Sequence, residues 1–225
     1  MKIAVLIKQT PDTETKATIT DNKLSENGVK FILNPYDEFA VEEALKLKAD
    51  TQGTVHVLSM GPQRCQEAIR TALAMGCDEA EHIVLDGESH ANNDGFIVSQ
   101  ALAKLIEKTG PYDVVFSGKQ AIDDDAMAVP QMIAEHLSWP RATVVTHFEY
   151  NKDNNSAVVK RTIEGGKEES IELKGPFIVS ANKGLNKPRY ASLPGIMKAK
   201  KKTINAHKLE DLGVNSDDFR VEYFE

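Results

Sequence analysis

Unbroken apolar runs alternate with stretches of helical period through the first two-thirds of the chain. Ile3 to Ile7 is a continuous apolar run, the mark of a strand buried on both faces of a parallel sheet. The polar stretch 10–33, with Ile19, Val29 and Ile32 spaced through it, predicts a β-hairpin excursion around Glu26-Asn27-Gly28. A helix opens at Asn34-Pro35-Tyr36-Asp37. Asn34 caps it, Pro35 takes its first position, and Asp37 and Glu38 sit where the helix dipole favours negative charge. Val41, Ala44 and Leu45 carry the helical spacing onward. A strand over 54–59 follows, then a helix over 62–75 with Ala68, Ile69, Ala72 and Leu73 on one face and Gly76 as its stop.

A third strand is predicted over 81–85. The next helix has Phe96, Ile97, Ala101, Leu102, Leu105 and Ile106 inward and ends at Gly110-Pro111. A fourth strand over 113–117 leads straight into Gly118-Lys119-Gln120-Ala121-Ile122-Asp123-Asp124-Asp125. This alternation predicts an α/β fold, a mostly parallel sheet with helices on both faces. After Trp139-Pro140 the pattern changes to strands over 142–150, 157–161 and 169–173, joined by turn clusters at Asp153-Asn154-Asn155 and Gly165-Gly166. They form a small antiparallel portion, and Pro176 to Ser180 reads as a last core strand. The chain thus divides into an α/β domain with its antiparallel extension over 1–180 and an arm over 181–225. Within the arm, 184–202 shows neither period and carries two prolines, apolar residues of exposed type and a cationic tail. Such a segment needs a partner surface or stays a mobile loop.

The chain has 225 residues, 41% apolar and 27% charged, enough for a sizeable core. Its formal net charge of −7 argues against nucleic acid as partner, since phosphate binding needs surplus Lys and Arg. Cys65 and Cys77 form no CxxC pair and read as two buried thiols in a reducing compartment. The six histidines show no metal-ligand spacing with Cys or paired carboxylates, so no metal site is expected. No apolar run reaches the roughly 20 residues of a membrane span, and the N-terminal strand lacks a signal peptide's features. A soluble, cytoplasmic protein is expected, with the mitochondrial matrix as the alternative.

Ligands of open α/β sheets bind at the carboxyl ends of strands. Three such ends stand out: 8–12, Met60-Gly61-Pro62 and 118–129. At Gly118 the missing side chain would let backbone approach a ligand. No G-x-G-x-x-G follows the first strand, and Walker A and Gly-x-Ser-x-Gly motifs are absent, which disfavours a Rossmann dinucleotide site, a P-loop NTPase and a serine hydrolase. Asp123, Asp124 and Asp125 read as caps of the following helix before they read as a metal or acid–base site. Lys198, Lys200, Lys201 and Lys202 read as a solvated cationic patch in preference to a membrane or nucleic-acid surface.

Five blocks carry a family resemblance: Lys8 onward, 34–44, Arg70 to Gly76, 118–125, and Asn186-Lys187-Pro188-Arg189-Tyr190-Ala191-Ser192-Leu193-Pro194. In sequence and order they resemble the electron transfer flavoprotein β subunit. The resemblance implies a Rossmann-like fold of the adenine nucleotide-binding type, within the adenine-nucleotide alpha-hydrolase-like superfamily. It implies a heterodimer with an electron transfer flavoprotein α subunit that holds most of the FAD, the chain itself being an electron-carrier subunit without catalytic residues. An AMP would be lined by Leu6, Asn34, Pro35, Tyr36, Asp37, Met60, Gly118, Lys119, Gln120, Ala121, Ile122, Asp123, Asp124, Asp125, Ala126, Met127, Ala128 and Val129. The arm would contact the α subunit. Its recognition loop, with Pro188, Arg189, Tyr190, Leu193, Pro194, Ile196 and Met197, would dock acyl-CoA dehydrogenases or related flavoenzymes of fatty acid oxidation. Leu193 would be the anchor, and electrons would pass on to a quinone-reductase-type acceptor.

The chain departs from the family pattern in places. Ala128, Val129 and Pro130 stand where the phosphate turn usually offers Gln, Thr or Val, then Gly. Pro130, read as the first helical residue, has no N–H, and Val129 has no hydroxyl for phosphate, so weak AMP retention is expected. The chain ends at Glu225, short of the family's usual C-terminal arm. The Asp-Asp-Asp spelling resembles the non-bifurcating, AMP-binding branch. An electron-bifurcating β subunit with a second FAD, or a stand-alone adenine-nucleotide-binding protein, are the alternatives.

Overall fold

The computed structural model describes residues 1–16, 18–20, 23–25, 27–85 and 94–215. Its centre is a nine-stranded sheet. The strands are β1 (Lys2–Leu6), β6 (Thr54–Gly61), β7 (Glu79–Val84), β8 (Val114–Gly118), β9 (Arg141–Asn151), β10 (Ser156–Thr162), β11 (Glu168–Lys174), β12 (Phe177–Ala181) and β13 (Asn205–His207). Their spatial order is β11-β10-β9-β12-β8-β1-β6-β7-β13. From β9 through β12 to β13 every neighbouring pair is parallel, whereas β10 and β11 are added antiparallel. The mostly parallel sheet with an antiparallel portion therefore stands as the sequence predicts.

Among the described residues five helices flank the sheet: α1 (Pro35–Thr51), α2 (Gln66–Met75), α3 (Gly95–Thr109), α4 (Val129–Leu137) and α5 (Leu193–Lys201). Two cores result. Ile3, Val5, Val57 and Phe116 meet α1 and α2 through Val41, Ala44, Ile69 and Leu73. Ala4, Leu58, Val115 and Ile178 meet α3 and α4 through Ile97, Leu105 and Ile133. Alternate residues of one strand feed opposite cores, which is why the inner strands read as unbroken apolar runs.

Several expectations shift. Pairing in the 10–33 excursion centres between Thr20 and Lys23, where β3 (Ile19–Thr20) meets β4 (Lys23–Leu24), and not at 26–28; Glu26 lies outside the described residues. Beneath it β2 (Gln9–Pro11) pairs with β5 (Phe31–Leu33). The helix expected from 62 begins as a 3-10 turn at Gln63–Cys65 before α2. Phe96 is 39% exposed instead of inward, while Ile97 and Leu105 are buried. Both cysteines are buried and unbridged, and burial pushes the Cys77 thiol up to about 12.

The largest correction concerns 184–202. Ser192 accepts a hydrogen bond from the Gly195 N–H at 3.1 Å and caps α5, with Pro194 in its first turn. A helix forms there because its partner is close. A Cβ on Gly195 would meet the Ala74 carbonyl oxygen at 2.4 Å, so only glycine lets α5 lie against α2. Lys198, Lys200 and Lys201 occupy the last turn of α5, where the dipole favours cations. The chain then returns as β13 beside β7; residues 216–225 of the expected arm lie outside those described.

Candidate functional site

At the carboxyl ends of β1 and β8 the helices following the two strands depart to opposite faces of the sheet. A crevice opens where an open parallel sheet changes winding direction, the usual ligand position of such folds. Asn34 and Asp37 hold its rim together. The Asp37 carboxylate accepts from the Lys8 N–H at 2.7 Å and the Gly118 N–H at 3.0 Å. The Asn34 side chain donates to the Gln120 carbonyl at 2.9 Å and accepts from the Ile122 N–H at 3.3 Å. Asn34 is thus the N-cap residue of α1, but its side chain bonds the loop after β8 and caps no backbone N–H of the helix. Burial pushes the Asp37 carboxyl up to about 7, against the pull of the Lys8 and Gly118 N–H groups.

Gly118 has a packing reason. A Cβ there would meet Asp37 Oδ1 at 2.3 Å and the Tyr36 carbonyl carbon at 2.7 Å, so the first turn of α1 fills the space the missing side chain leaves. Lys119 lies with its ammonium 4.8 Å from the Tyr36 ring centre. The aspartates are not helix caps. Asp123 and Asp124 pair with Lys8 at 2.8 and 3.4 Å, Asp125 accepts from Gln120 at 2.7 Å, and Asp124 folds the loop by accepting from the Ala126 N–H at 2.9 Å. Their charges are engaged within the protein.

Beyond them Ala126, Met127 and Ala128 are exposed, and α4 begins at Val129 with Ala128 as N-cap. Pro130 therefore sits one position further into the helix than expected. No side chain caps α4, so N–H groups of its first turn lack a side-chain acceptor, and such an end accommodates an anion. Leu6 and Met60 lie buried on the α4 face together with Val129. Ser117, which sequence reasoning passed over, is buried at the end of β8 with a hydroxyl lacking any hydrogen-bond partner. An orphan hydroxyl at the end of β8 and an uncapped start of α4 are donors that suit a small phosphorylated ligand, so the donor set fits a mononucleotide. Pro35 and Ala121 are half-buried in the rim. None of these groups forms a nucleophile–base pair.

A second feature lies on the α1–α2 face. Tyr190 is 95% exposed, Leu193 74% and Met197 62%, with Ile196 beside them. The segment carrying them is clamped. Arg189 grips Glu42 with two donors at 2.8 and 2.9 Å, and Asn186 donates to Phe39 O and Glu43 at 2.9 and 2.8 Å. Arg70 donates to the carbonyls of Ala199 and Lys202, closing the far end of α5. Arg189 therefore acts as an anchor through its guanidinium while its side chain stays about half exposed, and Pro188 precedes it half-buried. Pro194 is exposed in the first turn of α5. Glu42, Glu43 and Arg70 brace this segment, a role the sequence reading did not assign to them. Acids adjoining Val41 and Ala44 on the buried side of α1 were the available signal.

Fold and site together define an α/β protein of the Rossmann-like type whose crevice, among the described residues, holds no nucleophile–base pair and which displays a mounted apolar tip. The electron transfer flavoprotein domain matches residues 21–212. The chain is 40% identical to the electron transfer flavoprotein subunit beta of Bacillus subtilis over 218 residues, 97% of this chain and 83% of the relative. With the subunit of the same name from Homo sapiens it shares 42% over 218 residues, 96% and 84% of the two chains. With that of Methylophilus methylotrophus it shares 37% over 222 residues, 97% and 83%. The chain belongs to the electron transfer flavoprotein family, among its β subunits, which are electron-carrier subunits. No helix among the described residues is long and apolar enough to cross a membrane.

Proposed function

We propose that the chain is the β subunit of a non-bifurcating electron transfer flavoprotein heterodimer, taking electrons from acyl-CoA dehydrogenase-type flavoenzymes. It buttresses the FAD held mainly by the α subunit, whose isoalloxazine supplies the redox chemistry, and its own residues dock the donor. Electrons then leave for a quinone-reductase-type acceptor. The strand-end crevice holds AMP weakly. Ser117 and the first turn of α4 are its phosphate-side donors, and Pro130 and the apolar Ala128 and Val129 withhold the N–H and hydroxyls that would tighten it.

The observation that carries this reading is the exposed Leu193 on a segment tied down by Arg189, Asn186 and Arg70. An apolar side chain held rigid in water wants a pocket, and because it is already ordered, docking costs little entropy. One buried leucine contributes roughly 1.5–3 kcal/mol, which suits a transient complex. In Leu193→Ala, reduction of the heterodimer by an acyl-CoA dehydrogenase is expected to slow about tenfold or more, with flavin content unchanged. Unaltered reduction kinetics would remove the docking role.

A further inference from the structure

On the α3 face of the sheet, two neighbouring strands place a histidine and two glutamates together. His56 on β6 is in register with Glu79 on β7, so their side chains project to one face. Glu81 lies two residues on along β7, and therefore on that same face. One ligand atom from each lies within 4.8 Å of the others. We propose that His56, Glu79 and Glu81 bind one divalent transition-metal ion of the zinc type, which fastens the edge of the sheet around β7 and β13.

Three observations carry this. His56 is buried, 5% exposed, and its Nδ1 has no hydrogen-bond partner; Glu79 Oε2 is 3.5 Å away. A lone pair facing a carboxylate across that gap lacks a cation between them, either a proton or a metal. Glu81, 5% exposed, is oriented from behind: Asn205 donates to Oε1 at 3.0 Å and His207 Nε2 approaches Oε2 at 2.6 Å. Supports of that kind fix ligating carboxylates in metal sites. Finally, Glu79 is more than half exposed, which gives an ion a way in and leaves room for water as a further ligand.

The surrounding charges are compatible. Asp78 adds negative charge, partly offset by Lys2, whose ammonium donates to the Thr109 carbonyl and lies 4.8 Å from the Tyr112 ring centre. One imidazole and two carboxylates favour Zn2+, Co2+ or Mn2+ over Mg2+ and Ca2+, which prefer all-oxygen shells. Spacing along the sequence hides the set, because His56 and Glu79 become neighbours only through the pairing of β6 with β7.

The test is calorimetric titration of Zn2+ into the chelator-treated full chain. One equivalent is expected to bind, with Mg2+ giving at least about a hundredfold weaker response. Glu79→Gln, at an exposed position that leaves the core intact, should weaken Zn2+ at least tenfold, and His207→Gln should weaken it about tenfold through Glu81. Hydrogen exchange at Asn205, Ala206 and His207 should slow on adding Zn2+. No saturable binding, or equal affinity in wild type and Glu79→Gln, overturns the proposal.

Discussion

Asp37 shows how one side chain sets a fold's local chemistry. The sequence presents it as a first-turn acid of α1, and it is one, yet its carboxylate also fastens the ends of β1 and β8 by accepting from Lys8 and Gly118. Because burial raises its pKa to about 7 from an unfolded value of 3.8, the native state holds a proton that the unfolded chain has released. That proton is worth stability below about pH 4, and the contribution is lost as pH rises towards about 7. Asp37→Asn cannot ionise, although its amide leaves one N–H donor without an acceptor. The stability gap between wild type and this variant should therefore shrink by roughly 3 kcal/mol between about pH 5 and about pH 8, at about 1.4 kcal/mol per pH unit up to pH 7. Urea midpoints across that range check it, and a constant gap would mean that Asp37 is ionised throughout.

Among the elements, α5 marks the limit of local pattern. Leu193 to Lys201 shows no convincing helical stripe, because one residue of it, Ala199, is buried and the rest faces water or the neighbouring helix. Its helix depends on tertiary partners: Gly195 against Ala74, and the Arg70 guanidinium on the closing carbonyls. The inner strands were legible for the opposite reason, since burial on both faces writes an unbroken apolar run. The clamp at Arg189 belongs to this scale. Arg189→Ala leaves the nearly buried Glu42 carboxylate without its two-pronged partner, costing about 2 kcal/mol locally. Faster hydrogen exchange through 186–192 and weaker docking of a dehydrogenase are expected, with global unfolding little changed. Exchange as slow as in wild type would assign the rigidity to Arg70 and Gly195 alone.

For the whole molecule, the architecture is legible in the order of apolar runs and helical periods, and the bonding within the crevice is not. The crevice could be located from the order of strands and helices, and 118–125 lie along its rim. What the aspartates do there could not be read, because Lys8, their partner, is more than a hundred residues away in the chain. Ser117 was hidden inside an apolar strand for the same kind of reason: an orphan hydroxyl is visible only once its neighbours are known. The uncapped α4 sets an expectation for the assembled heterodimer. One flavin per pair and AMP binding in the micromolar range or weaker should be found by absorbance and calorimetry, and submicromolar AMP would show that the departures at 128–130 cost nothing.

The tip helix is bracketed by β12 and β13, two strands of one sheet, the first in its interior and the second at its rim. Both ends are therefore moored to the sheet, the closing one through the three pairs that Asn205, Ala206 and His207 make with β7. Unpairing that rim strand would release one end of the apolar tip, so the order of the tip depends on the sheet's edge holding.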